Sequence, residues 1–145
     1  MKRKRKIIIP LRIRKIEKIG YHIFIKAKMN GHSVNMLVDT GASKTVFDKV
    51  RGEELMNEDS LTVNPEVTMG IGADSMESHI AVVDSLKLGK LEILKLKTVF
   101  LDLSHVNRAF EMIGIRQVDG IIGGDILRKY EATIDYKTAG LTLRY

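Results

Sequence analysis

The chain has no cysteine. That excludes disulfides, thiolate catalysis and cysteine-ligated zinc, and agrees with a reducing, cytoplasmic compartment. Its histidines, His22, His32, His79 and His105, stand singly. Without an i, i+4 pair or a carboxylate at ligand spacing they form no metal motif, and they read as ordinary strand, turn or surface residues. No apolar run reaches the roughly 18 residues needed to span a bilayer. The basic start followed by Ile7-Ile8-Ile9 imitates a secretory leader, but its apolar stretch is short and is interrupted by Arg12 and Arg14. Gly70 and Gly72 lack the third glycine and the following helix of a dinucleotide fingerprint. Ser43 lacks the glycine-flanked elbow of a serine nucleophile.

What is present is one domain's worth of chain. At 145 residues with 44% hydrophobic content, it is long enough for a substantial core. The net charge of +6 is unevenly spread: residues 1–28 hold eleven Lys or Arg against the single acid Glu17. The cluster Lys2-Arg3-Lys4-Arg5-Lys6 offers contact to nucleic acid or an anionic surface. No aromatic residues alternate with these charges to stack on bases, so a solvated tail is the plainer reading. The division expected is a basic segment with edge strands over 1–20 and a folded domain over 21–145.

Period-two alternation predicts strands through Ile7 to Ile16, with Pro10 favouring an edge, and again over Tyr21 to Met29. Asn30-Gly31 supplies the residues a tight hairpin prefers, and Ser33 to Val38 returns as its partner. A short helix is expected within Lys44 to Met56. Val63 to Ile71 and His79 to Leu88 read as a second hairpin, Leu91 to Leu103 as a strand after the turn Gly89-Lys90, and Ser104 to Ile113 as a helix capped by Ser104. A helix over about Gly124 to Tyr130 and a closing hairpin, Ala132 to Tyr136 with Leu141 to Tyr145, complete the pattern.

Chemistry concentrates at Leu37-Val38-Asp39-Thr40-Gly41-Ala42-Ser43, where an apolar strand delivers one carboxylate into a tight turn. Gly41, without a Cβ, lets the backbone come close to that carboxylate. Metal-free hydrolysis of a peptide bond needs one group to take a proton from water and another to give one to the carbonyl oxygen. Two carboxylates about 3 Å apart do both, because they share one proton and titrate as a pair. Downstream stands Asp119-Gly120-Ile121-Ile122-Gly123-Gly124-Asp125-Ile126-Leu127, an apolar pair and a glycine leading into a helix. Asp125 reads as a cap or first-turn residue beside the positive end of that helix. Asp102, Asp119 and Asp135, near apolar strands, are candidates for a partly buried structural acid.

Together these two motifs resemble the retropepsins, the single-domain, retroviral-type aspartic proteases, over roughly Tyr21 to Tyr145. The resemblance implies an all-β fold, a closed or partly open barrel with a flap hairpin and one or two short helices. It implies Asp39, Thr40 and Gly41 as the catalytic triplet, with the Thr40 hydroxyl bracing the partner motif. It implies a flap at Gly70-Ile71-Gly72 and substrate contacts from those residues and from Ile121 and Ile122, with Met69 and Met76 nearby. Only one Asp-Thr-Gly is present, so the second carboxylate is expected from a second copy in a symmetric homodimer. An aspartic endopeptidase acting on extended peptides without a cofactor or metal is the implied function. The alternative is a catalytically idle dimerisation or peptide-binding module on the same fold. The stretches flanking the expected flap are longer than in compact viral enzymes.

Overall fold

The computed structural model describes residues 2–16, 20–56, 62–63 and 78–145. Two strands open the chain, β1 (Lys6–Pro10) and β2 (Arg12–Ile16). Both lie at sheet edges, as Pro10 and the charge alternation require. β3 (Gly20–Met29) and β4 (His32–Val38) form the first hairpin, with Phe24 opposite Leu37 and Met29 opposite His32. Asn30 and Gly31 both have positive φ, 50° and 83°, the type I′ geometry that matches the right-handed strand twist.

β5 (Val46–Asp48) follows the Asp39 turn and runs into α1 (Lys49–Leu55). Asp48 caps that helix by accepting from the Arg51 N–H at 3.1 Å, while its second oxygen accepts from Leu103 N–H at 3.0 Å. A two-residue strand β6 (Thr62–Val63) pairs with β7 (His79–Leu88), which turns at Gly89 into β8 (Leu91–Leu101). The helix α2 (Ser104–Met112) begins one position earlier than a Ser104 cap would give. Leu103 occupies the cap position and offers no side-chain oxygen, so Asp102 instead accepts from the Ser104 N–H at 2.9 Å. β9 (Gly120–Ile122), α3 (Gly124–Lys129), β10 (Thr133–Asp135) and β11 (Gly140–Arg144) complete the chain.

The strand order β3-β4-β9-β5-β8-β7 closes on itself because β7 also pairs with β3, through Lys28 opposite Lys87 and Met29 opposite Leu86. The fold is therefore a closed six-stranded barrel. Asn30 locks the seam: its N–H donates to Ser85 O at 2.8 Å and its side-chain oxygen accepts from Ser85 N–H at 3.1 Å. β1 pairs with the C-terminal strand, Ile9 opposite Leu141, in a separate three-stranded sheet β1-β11-β10. The basic start is thus exposed but not loose, for the ladder continues through Arg5 and Tyr145, and Lys4 reaches Glu131 at 2.8 Å.

Alternation sorts the side chains into two apolar clusters. Inside the barrel, Ile25, Met36, Phe47, Val83, Phe100 and Ile122 are fully buried, with the Phe47 and Phe100 rings stacked at 5.6 Å. Each side chain of this size contributes roughly 1.5–3 kcal/mol by leaving water. On the outer face, Phe24, Leu37, Leu103, Phe110 and Val118 form a smaller cluster beneath α2, with the Phe24 and Phe110 rings edge to face at 5.9 Å. Among the described residues, no helix is long and apolar enough to cross a membrane.

Candidate active site

The site is built by a strand insertion. β4 and β5 lead into and out of the Asp39 turn, yet they do not pair with each other. β9 lies between them, parallel to β4 (Leu37 opposite Ile121, Val38 opposite Ile122) and antiparallel to β5 (Val46 opposite Ile121). The apolar Ile121-Ile122 pair suits a strand surrounded on both sides. Alternation sends Ile122 into the barrel core, fully buried, and Ile121 to the outer face beside Leu37, partly exposed. Ile122 also contributes through its backbone, accepting from the Asp39 N–H at 3.0 Å.

Asp39 is half-buried, while Thr40 and Gly41 are exposed. One Asp39 oxygen accepts from the Gly41 N–H at 2.9 Å, and Ala42 N–H returns to Asp39 O at 3.2 Å. A Cβ on Gly41 would stand 3.3 Å from that same carboxylate oxygen, so glycine is what lets the turn wrap its acid closely. No hydrogen bond from the Thr40 hydroxyl occurs among the described residues.

Beneath the turn is a partly buried lattice. Thr45, 1% exposed, donates through its hydroxyl to Asp125 Oδ1 at 2.8 Å and through its N–H to the same oxygen at 2.9 Å. The Thr45 hydroxyl accepts from the Gly123 N–H at 3.0 Å, and the Thr45 carbonyl accepts from Thr98 Oγ1 at 2.8 Å. Gly124 and Asp125 N–H groups donate to Ala42 O and Ser43 O at 2.7 and 3.2 Å. Gly123 admits this approach, since a Cβ there would fall 2.5 Å from the Lys44 carbonyl carbon. Asp125 is thus a first-turn residue of α3, as expected, but its carboxylate serves chiefly to tie that helix to the turn.

A second network holds the start of β9. Asp119 accepts from the Asn35 N–H at 2.7 Å and faces the Arg51 guanidinium at 3.3 Å, and Asn35 donates to Gln117 O at 2.8 Å. Asp119 is therefore the partly buried structural acid among the three candidates. Asp102 and Asp135 are exposed, and their pKa values are held below the usual carboxylate range by backbone N–H donors, from Ser104 and from Thr138 with Lys137 respectively.

Of the residues expected to contact substrate, Ile121 and Ile122 flank the turn as described, whereas Gly70, Ile71 and Gly72, with Met69 and Met76, lie outside the described residues. Thr45, Asn35 and Asp48 carry structure that no local pattern announced. Thr45 and Asp125 are 80 positions apart, and only the β9 insertion brings them together. Among the described residues no group of three His, Asp or Glu side chains is positioned to hold a metal ion.

Comparison with known proteins agrees with this geometry. The family pattern described as "Aspartyl protease" matches residues 25–126. The UBA domain-containing protein Mud1 of Schizosaccharomyces pombe is 30% identical over 118 residues, 79% of this chain and 31% of that protein, so the chain spans about a third of that relative's length. Among solved structures, a retropepsin-like aspartic protease from Rickettsia conorii superposes with a TM-score of 0.59 at 21% identity, covering 98% of this chain and 90% of that one. The retroviral protease-like domain of Ddi1 from Leishmania major gives 0.58 at 19% identity, with 83% and 86% covered. EIAV protease in complex with an inhibitor gives 0.58 at 20% identity, with 84% and 97% covered. With the motif, the inserted strand and the family pattern coinciding on residues 25–126, the chain belongs to the aspartyl protease family and has the retropepsin-like fold.

Proposed function

We propose that this chain is an aspartic endopeptidase that works as a homodimer, each protomer contributing Asp39 to one shared carboxylate pair. The observation that carries the reading is the Asp39 turn itself. It is a half-buried carboxylate at the end of an apolar strand, wrapped by Gly41 and braced from below through Ala42, Ser43 and Thr45. Such bracing is useful to catalysis because the reacting groups must be held in place before substrate arrives. In the pair, the ionised carboxylate takes a proton from the attacking water and the protonated one donates to the carbonyl oxygen. The exposed Thr40 hydroxyl, without a partner in its own chain among the described residues, is available to the second turn across the two-fold axis. Substrate lies extended, adding its backbone to strand edges while alternate side chains enter pockets, one of them walled by Ile121.

Cleavage of an unbiased peptide mixture between pH 4 and 7, with wild type and Asp39→Asn compared over a wide range of protein concentration, tests the proposal. Activity should vanish in the variant and fall more steeply than linearly on dilution. Full activity in Asp39→Asn, or a strictly monomeric form as active as the dimer, refutes it. The alternative, an idle peptide-binding module, draws on the likeness to a UBA domain-containing protein, and predicts binding without turnover in the same experiment.

A further inference from the structure

Strand register carries the outer face of the sheet from the Asp39 turn into a cationic pocket. Leu37 is opposite Phe24 across the β3–β4 pair, and Phe24 is opposite Arg12 across β2–β3. Directly opposed residues share a sheet face. The inward partners of this row confirm the sorting, since Ile13 and Ile23 pack into the barrel core while Phe24 and Leu37 belong to the outer cluster. By the same alternation Arg14, opposite His22, lies on Arg12's face. Arg12 stands two strand spacings, about 10 Å, from Leu37, and Asp39 lies two residues, about 7 Å, beyond Leu37. An extended peptide covers that diagonal in about three or four residues at roughly 3.3 Å each.

There the loop after α2 faces β2 across a cleft of about 360 Å³. Among the described residues four cations line it, Arg12, Arg14, Lys15 and Arg116, and no carboxylate does. Its apolar lining comes from Phe24, Ile113 and Ile115. Among the described residues none of the four cations makes an ion pair, although Lys4, Lys49, Arg51 and Lys95 all do. Arg12 is hydrogen-bonded to the Asn35 side-chain oxygen, while its Nε is buried without a partner among the described residues. Its guanidinium is held below its ordinary pKa, first by burial and then by the charges of Arg116 and Arg14. Four cations held together without a counter-ion among the described residues repel one another, and a bound anion relieves that repulsion.

We infer that this pocket is an outer subsite for acidic side chains, and that the chain's substrates are extended polypeptide segments carrying Asp or Glu about three or four residues from the bond to be cut. A second recess points the same way: Lys44, directly after the Asp39 turn, and Lys97 line a cleft whose carboxylate, Asp125, has an oxygen already engaged by Thr45. A polypeptide is favoured over nucleic acid because the aromatic ring in the cationic pocket, Phe24, is 2% exposed and packed against Phe110, leaving no free face for a base. The cleavage part of the inference rests on the aspartic peptidase reading, and the binding part does not.

The test separates the two. Full-length protein carrying Asp39→Asn is titrated with a labelled peptide containing three Glu and with its Gln isostere, by fluorescence anisotropy at low salt. The Glu peptide should bind at least tenfold tighter. Adding Arg14→Gln, Lys15→Gln and Arg116→Gln should remove the preference. The control Lys26→Gln, Lys28→Gln and Lys87→Gln, in a separate basic recess, should leave it in place. Equal binding of the two peptides, or equal loss in both triple variants, overturns the inference, as does a thymidine oligonucleotide that binds more tightly than the Glu peptide through the same three residues. In wild type, cleavage of both peptides with equal kcat/KM, together with equal binding, removes the inference and leaves the peptidase standing. Preferential binding with no cleavage of any peptide supports the pocket and removes the peptidase.

Discussion

Thr45 is the residue on which the Asp39 turn hangs, and Thr45→Val tests that claim with almost no change of shape. The substitution keeps the β-branched outline and the backbone bonds, but deletes a hydroxyl that donates to Asp125 at 2.8 Å and accepts from the Gly123 N–H at 3.0 Å. Gly123 is buried, so its N–H is left without a partner at a cost of roughly 1–3 kcal/mol. Losing a hydrogen bond to a charged acceptor adds about 1.5 kcal/mol, and the extra apolar surface of Val offsets part of the total. The net expectation is about 3 kcal/mol of lost stability, a fall in Tm of roughly 10 °C for a chain of this size. The comparison variant is Thr45→Ser, which keeps the hydroxyl and deletes one buried methyl, at a cost near 1 kcal/mol. Urea unfolding followed by circular dichroism gives both values. If burial of apolar volume governed this site, Val would be the better tolerated of the two. Finding Thr45→Val as stable as Thr45→Ser, or more so, refutes the reasoning.

Gly123→Ala places a methyl 2.5 and 2.6 Å from the Lys44 carbonyl carbon and oxygen and 2.9 Å from Ala42 O. These are backbone atoms of the turn and cannot rotate away, so stability should drop by about 3 kcal/mol or more, measured by urea unfolding, and under the proposed function peptide cleavage should drop with it; near-normal stability would count against the packed turn. Gly52→Ala sets two effects against each other within α1. Alanine favours the helix by about 1 kcal/mol, but its methyl would fall 2.2 Å from the Phe100 ring, which is itself fully buried against Phe47. Overpacking of about 1–3 kcal/mol should win, giving net destabilisation by urea unfolding, and a stabilised variant would refute the packing. Asp135 supplies a pH dependence. Its pKa is depressed in the fold by the N–H groups of Thr138 and Lys137, so its stabilising contribution is present above the unfolded value of about 3.9 and is lost as pH falls through the folded value. The Tm gap between wild type and Asp135→Ala should therefore be open at pH 6 and close under acid conditions below about pH 3, and a gap that widens in acid contradicts the sign.

The elements most legible in the chain were those whose cause is local. Asn30-Gly31 between alternating strands dictates a type I′ hairpin, because both positions tolerate positive φ. Leu37-Val38-Asp39-Thr40-Gly41 dictates a strand ending in a close turn around a carboxylate, because Gly41 carries no Cβ. Expected boundaries for β3, β4, β7 and α3 fall within one residue of the observed ones for the same reason. Ser104 as a cap failed, because Asp102 two residues earlier reaches the free N–H and leaves Leu103 at the cap position. What depends on distant pairing was decided by tertiary structure alone. The pattern of Ile121-Ile122 announces a buried strand but not that it slides between β4 and β5, and without that insertion Thr45 and Asp125 never meet. Barrel closure of β3 on β7, the pairing of β1 with β11, and the gathering of Arg12 and Arg14 with Arg116 around one cleft are likewise products of the closed sheet. Side-chain periodicity fixes which face a residue takes, whereas neighbours across strands are chosen by how the whole apolar surface is best removed from water.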